Sequence, residues 1–175
     1  MDVTTNILLR LYCEQTLTAD LNARPSSTLN FTFSDKLTDG TGVDQADLVY
    51  FDSNTAALGA TTTYDLHTSL TDIYGVAADF ARVKAVAFEN TSALAASVLD
   101  VGPHAHANPF QGMLTTSGGA TGSEAENVRY QGAFVWFTPD ATAWAVGNGA
   151  TDVIEIVEAG GVAAAWDIMF VGATA

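Results

Sequence analysis

Basic residues are scarce in this chain. Six Lys and Arg stand against twenty Asp and Glu, a formal net charge of −14. So acidic a surface repels phosphate backbones and anionic lipid, which argues against nucleic acid and membrane as partners. Cysteine is reduced to Cys13, so no intramolecular disulfide can form and cysteine usage reveals no compartment. The bland expectation for Cys13 is a small buried hydrophobe in a strand. No apolar run approaches the ~20 residues of a membrane span. Met1 to Thr5 lacks a basic n-region and the apolar run after it is broken at Arg10, so no signal peptide is expected. No segment has the long, capped apolar pattern of a helix, and no internal repeat stands out.

What remains is a globular composition. Hydrophobic residues make up 48% of the chain, too many for a disordered protein. The 175 residues fit one domain, which can bury roughly 70% of its unfolded surface without metal or disulfide staples.

Alternation then dominates the chain. Ile7, Leu9, Leu11 and Cys13 fall on one side of residues 6–14, opposite Leu8, Arg10, Tyr12 and Glu14. That pattern reads as a strand, with a helix over residues 6–22 as the competitor. Residues 1–22 are therefore set apart as an N-terminal arm or edge strand, and residues 23–175 as a β-sandwich domain. Leu29, Phe31 and Phe33 alternate with polar residues as in a half-buried strand. Residues 35–44 read as a loop, residues 48–51 as a short strand, residues 52–59 as a turn, and residues 60–66 as β-rich. The longest strand pattern spans Phe80 to Phe88. Ala81, Val83, Ala85 and Ala87 form a small face suited to a second sheet, and Phe80, Arg82, Lys84, Val86 and Phe88 form the other. Strands are also expected over 94–101, 132–138, 152–157 and 162–171, with residues 115–126 as an exposed loop tip. The spacing predicts an all-β, single-domain β-sandwich, jelly-roll-like, of about nine or ten short strands.

Few residues suggest chemistry. His104 and His106 have the spacing that puts two imidazoles on one side of a strand, yet residues 107–111 supply no carboxylate and Pro103 and Pro109 bracket the pair as a loop. Without a third ligand the reading is no metal and no cofactor. No Gly-x-Ser-x-Gly elbow occurs, Cys13 has no neighbouring base, and Gly118 to Gly122 lacks the lysine of a phosphate loop. The acid pairs Glu124/Glu126 and Glu155/Glu158 read as solvated faces rather than a glycosidase dyad. Arg82 and Lys84 are expected to meet acidic groups on a neighbouring strand or subunit. Trp136 and Trp166 read as core, while Trp144, near a turn, is the better candidate for exposure and for stacking on a sugar. No catalytic residues emerge. Interface candidates are Ile7, Leu9, Leu11, Arg82, Lys84 and Trp144.

Several phrases occur together in a telling order. They are residues 37–42 (LTDGTG) with Gln45-Ala46-Asp47, residues 64–66 with 70–75 (LTDIYG), residues 83–86 with Glu89-Asn90, and residues 152–156 with 166–172 (WDIMFVG). This order, over residues 29–173, resembles a group of small β-rich virion proteins of tailed bacteriophages, of the capsid decoration or cement kind. The resemblance implies a non-enzymatic structural protein that stabilises the shell through protein–protein contacts. It would be made in the host cytoplasm and would sit on the outer capsid surface. Its partners would be the major capsid protein or other virion proteins, and it would form a homo-oligomer, with a trimer favoured. The alternative is a β-sandwich binding module of a tail fibre or surface protein that recognises glycans. A jelly-roll metalloenzyme built on His104 and His106 is a third reading.

Overall fold

The computed structural model describes residues 3–16, 26–102, 107–110 and 125–175. Among these the strands are β1 (Thr5–Thr16), β2 (Ser26–Leu37), β3 (Leu48–Ala56), β4 (Thr61–Asp65), β5 (Arg82–Asn90) and β6 (Val98–Gly102). They continue as β7 (Glu126–Arg129), β8 (Ala133–Phe137), β9 (Trp144–Ala145), β10 (Val153–Glu158) and β11 (Ala164–Ala173). The protein is all-β. One sheet has the order β4-β10-β6-β7 and the other β3-β11-β5-β8, with β9 also paired to β5. A single main core draws on both sheets, as in a β-sandwich. β1 and β2 form a separate two-stranded ribbon.

Sequence alternation explains the central strands. In β11, Ala164, Trp166, Ile168 and Phe170 are buried while Ala165, Asp167 and Met169 between them are half-buried. In β10, Ile154 and Ile156 enter the same core. The expected pattern of β5 is reversed in part. Val86 and Phe88, not the alanines, face the second sheet, and Ala85 turns to the outer face beneath the ribbon. Large side chains are what fill the ~10 Å between two sheets. The register against β11 also shifts between Val171 and Gly172, which face Ala85 and Val83 and leave Lys84 unmatched. This bulge turns Val83 inward against the simple period of two. Gly172 is needed there, because a Cβ would lie 2.2 Å from the Arg82 carbonyl oxygen.

Three local expectations fail. β2 runs on to Leu37 instead of looping out at Asp35. β3 continues through residues 52–56, which were expected to turn. β7 begins at Glu126, where only a loop tip was expected. In each case a long-range partner decides: Asp35 pairs with Ile7, residues 52–56 pair with β11, and β7 pairs with β6. Weak local propensity yields to such pairing.

Two buried polar ties cross between the sheets. Trp166 on β11 donates its indole N–H to the Tyr64 hydroxyl on β4 at 3.1 Å, and Tyr64 donates to Asp52 on β3 at 2.7 Å. Asn90 on β5 donates to the Val128 carbonyl on β7 at 2.9 Å and to Ser97 at 3.2 Å. Burial, with the bond to Asp52, holds the Tyr64 phenol well above its ordinary value of 10.0. Tyr64→Phe should therefore cost about 1–3 kcal/mol, because it strands the buried Trp166 N–H. The pH dependence has a definite sign. Below pH 10.0 the unfolded tyrosine keeps its proton and the fold retains this stabilisation, which is lost as pH climbs above that value. Denaturant unfolding of both proteins across that range should show a steeper alkaline loss in the wild type than in Tyr64→Phe.

Candidate interaction surface

The ribbon has one apolar face. Directly paired residues share a face of an antiparallel ladder, and the register sets Ile7 opposite Asp35, Leu9 opposite Phe33, Leu11 opposite Phe31 and Cys13 opposite Leu29. Its root is seated on the outer face of the five-stranded sheet. There Leu37, which is fully buried, packs with Ala46, Ala85 and Val171, and Ile7, Val49, Phe137 and Met169 pack around them. Phe33 tilts against Phe137 with ring centroids 5.8 Å apart. From the root outward the same face emerges into solvent: Phe33 is 38% exposed, Leu9 45%, Leu11 66% and Leu29 69%. β1 and β2 touch each other along their length and make little contact with any other strand.

A second apolar surface lies beside the root. A groove of about 530 Å³ runs along β3, between Val3 and Thr4 on one side and the 72–77 turn on the other. Asp72 builds that turn by accepting the backbone N–H groups of Tyr74 and Val76, both at 2.8 Å, while its own N–H donates to the Val76 carbonyl at 2.8 Å. The turn holds Ile73, Tyr74 and Val76 outward, 75%, 69% and 58% exposed. Phe51 on β3 completes the apolar lining, and Asp47 and Asp72 supply its charge.

The interface candidates separate accordingly. Leu9 and Leu11 are exposed and Ile7 is half-buried at the root. Lys84 is fully buried within the chain, where its Nζ donates to the Gly42 carbonyl. It is thus a packing residue, with no surface to offer a partner. Burial, assisted by Arg82, pushes its ammonium below the ordinary lysine range, against the opposing pull of Asp44, Asp140 and Asp47. Arg82 donates to the carbonyls of Ala141 at 2.8 Å and Thr174 at 3.5 Å, so its hydrogen bonds go to backbone oxygens. Trp144 is half-buried, pairs with Val83 and packs on the main core, which leaves it a poor platform for a sugar. Trp166 is fully buried as expected, whereas Trp136 is half-buried and stacks on Phe134 at 4.3 Å.

Three further residues complete the comparison with expectation. Cys13 lies in a strand but is exposed, contrary to its expected burial. Glu158 is buried and accepts the N–H groups of Gly59 at 2.9 Å and Val162 at 3.3 Å, so it braces loops and is not part of a solvated face. His104, His106 and the Gly118 to Gly122 stretch lie outside the described residues. Among the described residues, no three His, Cys, Asp or Glu side chains gather where a metal ion could be held. The groove residues Ile73, Tyr74 and Val76 escaped the sequence reading. The only signal was the cluster of turn formers around them, which reads equally as an ordinary loop.

If the ribbon tip contributes nothing to the fold, Leu11→Asp and Phe31→Asp should change the unfolding free energy of the single chain by less than ~0.5 kcal/mol. Leu37→Ala at the root should cost about 2–5 kcal/mol. Urea titrations of the three variants at low protein concentration make the comparison. Compared with protein-family models, curated proteins and solved structures, the chain matches none of them.

Proposed function

We propose that this chain is a non-enzymatic structural protein of a virion, a capsid decoration or cement protein that acts as a homo-oligomer on the outer capsid surface. The observation that carries the reading is the ribbon, whose apolar face is buried at its root and open along the rest of its length. An exposed apolar face of that extent on an otherwise acidic chain fits a surface covered on assembly. The order of turn and strand phrases over residues 29–173 supports the same reading through its resemblance to virion accessory proteins. Many copies binding the assembled shell in preference to loose subunits would stabilise it by mass action. A trimer suits a site of three-fold symmetry, with the major capsid protein as the partner.

The test is to mix the purified chain with expanded, undecorated capsids, sediment them, and heat the washed particles. Co-sedimentation to saturation and a higher shell disruption temperature are expected. Particles that sediment without the chain and melt unchanged would remove the decoration role. Retention on a glycan array, with sugar quenching of tryptophan fluorescence, would favour the binding-module alternative instead.

A further inference from the structure

We infer that the apolar face of the ribbon is covered by a second copy of this chain, and that it docks in the groove between β3 and the 72–77 turn of that copy. The contact is head-to-tail: each copy gives a ribbon and receives one. The inference deepens the assembly reading above and rests on it for its biological setting, although its own test needs no capsid.

Charge is the first reason. The two ribbon strands contain two acids, Glu14 and Asp35, and two bases, Arg10 and Lys36, so they are neutral and the entire −14 resides elsewhere in the chain. Two acidic bodies repel, and the neutral ribbon is the part that can approach another copy at least cost. Arg10 and Lys36 are both exposed. The groove that would receive them is lined by Asp47 and Asp72. Attraction between these pairs would set the direction of docking without supplying most of its affinity.

Area is the second reason. Each ribbon strand has 12 residues. At ~3.3 Å per residue and a width of ~10 Å for two strands, one face presents about 400 Å². Two ribbons laid face to face would bury about 800 Å² in total, short of the ~1,200 Å² typical of a stable interface. A ribbon seated in the groove covers both apolar surfaces at once. Each copy then takes part in two such contacts, and closure of the ring makes the last contact intramolecular. The same geometry leaves Ile73, Tyr74 and Val76 no longer exposed, which accounts for a turn stiffened to hold three large apolar side chains in water. Heterologous contacts of this kind close into rings when their rotation permits.

The experiment is light scattering after size exclusion of the full chain and of two double variants. One alters the ribbon (Leu11→Asp with Phe31→Asp) and the other alters the groove (Ile73→Asp with Val76→Asp). The wild type should be a closed oligomer and each variant a monomer. An equimolar mixture of the two variants should give a dimer, because one copy retains an intact groove and the other an intact ribbon. Phe31→Ser and Tyr74→Ser repeat the comparison if an aspartate variant loses cooperative unfolding. A groove variant that still assembles like the wild type would mean ribbons pair with ribbons, and would overturn the inference. So would a mixture that stays monomeric, or a wild type that is monomeric at every concentration. An oligomer that ignores capsids would sink the decoration role alone, whereas a monomer that binds them would sink the ring alone.

Discussion

An isolated two-stranded ribbon is marginal in water, and this one depends on the burial of its root. Leu37, with Ile7 and Phe33 above it, fastens the ribbon to the outer face of the five-stranded sheet. That seat exists because β5 and β11 present Ala85 and Val171 outward while their large residues fill the sandwich. The bulge at Lys84 and the absence of a side chain at Gly172 permit the arrangement. One face of the sheet thus serves the interior, and the other serves as the foundation of an element that reaches beyond the body.

Beyond the root, the chain leaves unsatisfied what a monomeric fold would normally resolve. Leu9, Leu11, Leu29 and Phe31 have the alternation of a strand packed on a core, yet no core of the same chain lies under them. The groove along β3 is the reciprocal case, a concave apolar surface with no side chain of its own chain filling it. Strong net acidity keeps the bodies apart and soluble, and a neutral ribbon concentrates attraction in one place. Fold, charge distribution and assembly are in this sense a single design: specificity comes from where attraction is allowed as much as from the contact itself.

The sequence made the strands of the sandwich legible because β11 and β10 bury one face each and obey a period of two. It gave no sight of register. Whether residues 35–37 and 52–56 are loop or strand depends on partners far along the chain, Ile7 in one case and β11 in the other. The bulge that inverts part of β5 is equally non-local, which is why the faces of Val83 and Ala85 were misassigned and why Lys84 was expected at a surface. The apolar face of β1 was readable, since Ile7, Leu9, Leu11 and Cys13 share a side in any strand. Its exposure was not, because a buried strand and an open ribbon have the same alternation. The groove was invisible for a related reason: its walls come from β3, the ribbon root and a turn, three stretches brought together by folding alone.

Cys13 offers the most direct check on the central claim that the ribbon face is covered by another copy. It is the chain's one cysteine, exposed in the single chain and on the same face as Leu11 and Phe31. The measurement is the rate at which a thiol reagent labels Cys13 as protein concentration is raised. The account predicts fast labelling in dilute solution and progressively slower labelling as copies associate. Labelling that stays fast at all concentrations, in a sample shown by light scattering to be oligomeric, would place the contact elsewhere and contradict the account.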